Sequence, residues 1–232
     1  MKGIGLAFDL EGTLVDLEKA HHGGHLETAR ELGLTLSFED ALKLIPSLVG
    51  GPDFAVAAEI KKAADAQDSV EEIVSRTRRH YRRLRAAMDI CPRRGVAAFL
   101  LSARQMNIPL AIGSVTSRED GNAILSAAGL LSFFPQHAQV FIEDVVQPKP
   151  APDVYVETAN RMGVAVSHQL VFEDSPVGVR AAIAANSRVI AIPAVTDFNI
   201  LDHFRRCGAL AVFSDWTDFS IESIIKLWNP MV

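Results

Sequence analysis

Hydrophobic residues follow two different patterns along this chain. At the start, and again from Gly95 onward, short apolar runs alternate with stretches of helical period. The runs are GIGLAFDL (residues 3–10), PLAIGSV (109–115), QVFI (139–142), QLVFED (169–174), RVIAIPA (188–194) and AVFS (211–214). They lack the strict apolar–polar alternation of a half-exposed strand and read instead as strands buried on both faces. Between them GVAAFLLSARQMN, SREDGNAILSAAGL, PDVYVETANRMGV and PVGVRAAIAAN read as helices. Strands and helices taking turns in this way predict an α/β domain with a Rossmann-like parallel sheet between helical layers.

Residues 16–88 contain no convincing strand. LEKAHHGGHLETARELG reads as a helix closed by Gly33, and SFEDALKLI as a shorter one capped by Ser37. PDFAVAAEIKKAADA begins with Pro52 at a favoured first helical position. SVEEIVSRTRRHYRRLRAAM opens with a Ser69–Glu72 capping box, and Val70, Ile73, Val74, Tyr81, Leu84 and Met88 share one face. The pattern therefore predicts a core made of residues 1–15 and 89–232, with a helical domain, 16–88, inserted after the first strand. Gly23-Gly24 in the first of these helices costs ~1 kcal/mol each relative to alanine. The pair therefore marks either a close approach to a substrate or a kink.

Composition narrows the function. The chain has 232 residues, 49% hydrophobic and 22% charged, which suits a packed globular protein. A net charge of −5 does not suit a general nucleic-acid binder, and no nucleic-acid partner is expected. Six arginines between Arg76 and Arg85 read as the wet face of an amphipathic helix, because residues 16–88 hold eleven Lys/Arg against twelve Asp/Glu. The two cysteines, Cys91 and Cys207, lie far apart, which fits a reduced, cytoplasmic setting. No apolar run approaches the ~20 residues of a membrane span, and none is expected.

Candidate chemistry lies at the strand ends. In an open parallel sheet, ligands bind beyond the carboxyl edge. The first strand ends in Asp9-Leu10-Glu11-Gly12-Thr13, the second in Gly113-Ser114 and the fourth in Glu173-Asp174-Ser175; Lys149 sits in QPKPAPD after the third. Asp9, with Glu173 or Asp174, supplies hard oxygen ligands suited to Mg2+. Such a cation and Lys149 would neutralise a phosphate that the acids otherwise repel, and Ser114 would donate to it. An aspartate beside that phosphate can attack phosphorus. An acid two residues on can protonate the leaving oxygen and then deprotonate water. GIGLAFD is not a nucleotide-binding glycine loop, since its glycines precede the strand.

FDLEGTLVD, IGSVTSRE, KPAPDVY and VFEDSPVGVRAA resemble, in order, the four motifs of the haloacid-dehalogenase-like (HAD) phosphohydrolases. The helical insert after the first motif is similar to the branch that contains phosphoglycolate phosphatase and β-phosphoglucomutase. The resemblance implies a Mg2+-dependent phosphatase that acts on a small phosphorylated metabolite, such as a sugar phosphate, through an aspartyl-phosphate. It implies that Asp9 is the nucleophile and a metal ligand. Glu11 takes the acid/base position and lends its backbone carbonyl to the metal. Thr13 holds the motif loop at the phosphate site, and Ser114 and Lys149 bind the transferring phosphoryl group. Asp174 completes the metal site, with Glu173 assisting directly or through water. The insert would be a cap that closes over the substrate and sets its identity.

Two departures bear on the activity. The family usually has Asp where this chain has Glu11, a change that adds roughly 1.5 Å of reach. In β-phosphoglucomutase-like relatives a cap loop carries Lys-Gly-x-x-Arg, where this chain reads Val49-Gly50-Gly51-Pro52-Asp53. His21, twelve residues after Asp9, matches the spacing of a histidine that those relatives use in proton transfer and closure. A phosphosugar mutase is thus the alternative, and a catalytically weak regulatory protein the third reading. The missing cations favour hydrolysis. Nothing in the pattern sets the oligomeric state.

Overall fold

The computed structural model describes residues 3–49, 51–193 and 198–228. The chain divides into two compact units, Leu17–Asp89 on one hand and Met1–Asp16 with Ile90–Val232 on the other.

The unit Leu17–Asp89 contains helices α1 (Glu18–Glu31), α2 (Phe38–Leu44), α3 (Asp53–Ala64) and α4 (Val70–Ala86). Ser37 caps α2 by accepting from the Asp40 amide, and Ser69 and Glu72 form the expected capping box. Pro52 stands one residue before α3, at its N-cap, rather than at the first helical position. The Gly23-Gly24 pair is explained by helix packing. A Cβ on Gly24 would lie 3.1 Å from the Thr77 carbonyl oxygen and 3.2 Å from the Tyr81 nitrogen, and one on Gly23 would lie 2.8 Å from Leu84. At Gly24, glycine thus lets α1 lie directly on the backbone of α4, whereas Gly23 meets only the tip of the Leu84 side chain. The Thr77 hydroxyl donates to Thr28 across that contact, at 3.0 Å. Ala29, Ala41, Ile45, Val56, Ile60 and Ile73 form the core of this unit. Most of the arginine run faces outward: Arg78, Arg79, Arg82 and Arg83 are exposed, and Arg83 reaches Glu27 at 2.8 Å, whereas Arg76 and Arg85 are half-buried and Arg85 lies 5.5 Å over the Tyr81 ring. In the 49–53 loop, Gly50 lies outside the described residues.

The other unit holds a six-stranded parallel sheet. Its strands are β1 (Gly5–Phe8), β2 (Leu110–Gly113), β3 (Gln139–Val140), β4 (Gln169–Glu173), β5 (Arg188–Ala191) and β6 (Ala211–Val212), in the order β3-β2-β1-β4-β5-β6. This is the doubly wound order, and its direction reverses beside β1. Each strand is shorter than its apolar run, because the residues past the ladder turn away to build loops. The last residue of RVIAIPA, Ala194, lies outside the described residues. Helices α5 (Val96–Gln105), α6 (Arg118–Ala127), α7 (Asp153–Met162) and α8 (Pro176–Ala184) fall where the period places them. Two more, α9 (Phe198–Arg206) and α10 (Ile221–Trp228), follow β5 and β6.

The core of this unit differs on the two sides of the sheet. On one side Phe8 and Phe172, from neighbouring strands, stack at 5.0 Å between ring centroids, and Phe99, Phe134 and Trp216 close around Phe8. The Trp216 indole N–H donates to the Thr13 carbonyl at 2.9 Å, so this aromatic cluster also holds the loop that follows β1. On the other side Ala7, Val154, Tyr155, Val171, Val179 and Val189 pack together.

Candidate active site

The loop after β1 is fixed from several directions. The Asp9 amide still donates to the Phe172 carbonyl at 3.0 Å, which anchors the residue at the strand end. The chain then turns back: the Gly12 amide donates to Val15 at 2.7 Å, and the Leu14 amide to Leu10 at 3.0 Å. Gly12 has φ +88°, and a Cβ there would lie 2.1 Å from Asp174 Oδ2, so the turn requires glycine twice over. The Thr13 hydroxyl donates to Asp174 Oδ1 at 2.8 Å. The Arg93 guanidinium donates to the carbonyls of Gly12 (2.6 Å) and Ile192 (2.8 Å), tying the β1 loop to the chain that follows β5.

The end of β4 is built around one carboxylate. Glu173 is fully buried. Its Oε2 accepts from the amides of Asp174 (3.2 Å) and Ser175 (3.3 Å) and from the Ser175 hydroxyl (3.1 Å). Its Oε1 accepts from Lys149 Nζ (2.6 Å) and the Tyr155 hydroxyl (2.5 Å). Gly178, in the first turn of α8, makes room, since a Cβ there would lie 1.8 Å from Oε1. Lys149 Nζ also donates to Asp9 Oδ1 at 2.6 Å and so stands between two carboxylates. Ser114, at the end of β2, is buried, and its hydroxyl accepts from the Thr116 amide at 3.3 Å.

Three carboxylates thus converge on one ammonium. Oxygens of Asp9, Glu173 and Asp174 lie within 4.8 Å of one another. Burial pushes the Asp9 carboxyl well above the usual carboxylate range, and the charges of Glu173 and Asp174 push the same way, against the pull of Lys149. Burial and the neighbouring Glu173 raise Asp174 to about 7, despite the hydrogen bond from Thr13. Burial alone would lower Lys149, but the attraction of Asp9 and Glu173 outweighs it and keeps the amine charged. The surplus of hard anionic oxygen over positive charge is what a divalent cation such as Mg2+ neutralises, so the donor set fits that metal.

A pH dependence follows. A carboxyl raised in the folded state binds its proton more tightly there than in the unfolded chain. Metal-free protein should therefore lose stability as pH rises from about 4 through about 7. Thermal melting in EDTA is expected to fall between pH 5 and pH 8, with added Mg2+ restoring it at pH 8. A flat profile without metal would contradict this charge balance.

Hydrogen bonds join five of the residues expected from the sequence: Asp9, Thr13, Lys149, Glu173 and Asp174. Glu11 stands within the same turn, bridging to Val15. His21 belongs to the helical unit, where its ring stacks on Tyr81 at 4.1 Å. Its neighbour on α1, His25, is held neutral by burial, which pushes it down to about 4, while its Nε2 lies 3.7 Å from Asp53. Tyr155, Gly178 and Arg93 are not candidates by the sequence pattern, and Ser175 is one only as part of the strand end Glu173-Asp174-Ser175. Tyr155 had a signal, as the last residue of KPAPDVY. Arg93 had none, because its partners are carbonyls brought to it by the fold.

Comparison with known proteins identifies the family. The profile of the haloacid dehalogenase-like hydrolases matches residues 5–186. The chain is 30% identical to protein CbbY of Cupriavidus necator over 221 residues, covering 89% of this chain and 83% of the relative. It is 31% identical to hexitol phosphatase A of Escherichia coli, covering 85% and 86%. Among solved structures, a HAD hydrolase of family IA, variant 3, from Entamoeba histolytica superposes with a TM-score of 0.81. It is 23% identical and covers 97% of this chain and 99% of its own.

Proposed function

This chain belongs to the haloacid dehalogenase-like hydrolases, and from that membership we propose that it is a Mg2+-dependent phosphatase of small phosphorylated sugars or sugar alcohols. The observation that carries the reading is Lys149 held between Asp9 and Glu173 at 2.6 Å from each, with Asp174 alongside. A strand-end carboxylate beside a lysine that can hold phosphoryl oxygens is placed for attack on a phosphoryl group. The substrate class is supported by hexitol phosphatase A, and by the fructose-1-phosphate phosphatase YqaB of E. coli, which is 28% identical over 81% of this chain and 95% of its own length.

The residues divide the work as follows. Asp9 Oδ attacks phosphorus, the ester P–O bond breaks, and Glu11 gives its proton to the departing alcohol oxygen. Lys149 and Ser114 hold the phosphoryl oxygens. Glu11, now ionised, takes a proton from water, whose oxygen attacks phosphorus; the Asp9–phosphorus bond breaks and inorganic phosphate leaves. Asp9, Asp174 and the Glu11 carbonyl would hold Mg2+, which when bound offsets charge on the phosphoryl oxygens. Leu17–Asp89 is the cap in this reading and excludes bulk water from the reacting phosphate.

Turnover of phosphorylated sugars and polyols is expected with Mg2+, to stop in EDTA and to return when Mg2+ is restored. Full activity after thorough chelation would refute the metal's role. The His21 spacing supports a mutase as the second reading, but the cap-loop positions that carry cations in mutases hold Val49 and Asp53. With β-glucose 1-phosphate, Mg2+ and a trace of bisphosphate, free phosphate should form faster than glucose 6-phosphate. The reverse order would make the mutase the better reading.

A further inference from the structure

Tyr155 is a fully buried phenol that the phosphatase chemistry does not use. It stands in the first turn of α7, six residues after Lys149. Its hydroxyl lies 2.5 Å from Glu173 Oε1, the oxygen that also receives Lys149. Its ring lies 5.0 Å from the ammonium, and Gly113 leaves the space the ring occupies, since a Cβ there would sit 3.1 Å from it. Five donors converge on Glu173: Lys149, Tyr155, the amides of Asp174 and Ser175, and the Ser175 hydroxyl. A carboxylate has about four lone-pair sites. A cation could reach Glu173 only by displacing a donor from a fully buried group. Asp174 is less crowded: its carboxylate accepts from the Thr13 hydroxyl and from its own amide. Lysine is a point charge on a flexible stem and takes its aim from its counter-ions.

Resting on the phosphatase reading above, we propose that Tyr155 is a positioning residue that clamps Glu173 as the counter-ion of Lys149, keeps it from ligating the metal directly, and leaves the metal to Asp9 and Asp174. Without the phenolic hydroxyl, Oε1 loses one of its two donors and Glu173 can turn toward the cation. Lys149 then keeps one firm carboxylate instead of two, and the phosphoryl group is held less well.

The test uses Mn2+ as a paramagnetic stand-in for Mg2+, with its dissociation constant measured by electron paramagnetic resonance on the full-length protein. Tyr155→Phe keeps the ring and removes the hydroxyl. It is expected to bind Mn2+ several-fold more tightly than wild type while kcat falls about tenfold, the loss typical of one charge-assisted hydrogen bond. A purely structural role for Tyr155 would weaken both. Glu173→Gln should bind Mn2+ within about threefold of wild type, while Asp174→Asn should lose more than the ~10–100-fold typical of removing a group that only supports a ligand. Weaker or unchanged Mn2+ binding in Tyr155→Phe overturns the proposal, as does a loss in Glu173→Gln equal to that in Asp174→Asn. Both of those results would leave the phosphatase reading standing. Wild-type protein that binds no Mn2+ would overturn the metal assignment of that reading and this proposal with it.

Discussion

Asp9→Asn is expected to lower kcat by roughly 10⁴-fold or more, because an amide cannot form the acyl phosphate on which both half-reactions depend. The fold should survive. Asp9 is buried, and its carboxyl is pushed up by that burial and by two neighbouring acids, so the folded protein holds this charge at a cost. Asparagine removes the cost and keeps the shape. Melting of the metal-free variant should therefore match or exceed wild type, most clearly above pH 7. Circular dichroism melts beside steady-state kinetics separate the two effects. Near-normal turnover in this variant would remove Asp9 from the mechanism.

Lys149→Met should damage both stability and activity. The lysine side chain is 5% exposed and lies 2.6 Å from both Asp9 and Glu173. Removing one partner of a buried ion pair typically costs ~3–5 kcal/mol, because the remaining charge is stranded. Part of that is recovered when a stranded carboxyl takes up a proton, so the loss should deepen as pH rises and shrink toward pH 5. Turnover should fall by about 10²–10³-fold, the scale for removing one fixed donor from developing oxyanion charge. Lys149→Arg should not restore it, since a planar fork cannot occupy a slot shaped for a single ammonium between two oxygens. Denaturant unfolding at two pH values, with kinetics for both variants, checks this. Wild-type stability in Lys149→Met would mean that the three carboxylates need no internal cation.

Much of this was legible in the sequence because strand ends have a chemistry of their own. An apolar run that stops on a carboxylate has little reason to do so in a sheet buried on both faces, and two such runs, ending at Asp9 and at Glu173-Asp174, meet side by side as β1 and β4. The cap signals at Ser37 and Ser69 were local and could be read directly. What the sequence hid depends on contacts between distant residues. Gly23-Gly24 looked like a kink or a substrate approach until α4 was seen against it. Glu173 read as a group that assists the metal directly or through water, and only the fold shows Tyr155, Ser175 and Lys149 also closing on it. The Arg93 contacts with Gly12 and Ile192 and the Trp216 contact with Thr13 span 81, 99 and 203 positions, beyond any local pattern.

The central claim is that a phosphoryl group passes through Asp9. The most direct measurement traps it there. Glu11→Gln removes the base that activates water, while acetyl phosphate supplies a leaving group that needs no acid, so the variant should load Asp9 and stall. Borohydride reduction of the quenched protein converts an aspartyl phosphate to homoserine, and peptide mass spectrometry locates it. Homoserine at position 9, found only when Mg2+ and acetyl phosphate are both present, is the result expected here. Covalent phosphate at another residue, or an unmodified Asp9 in a variant that consumes acetyl phosphate at the wild-type rate, would contradict it.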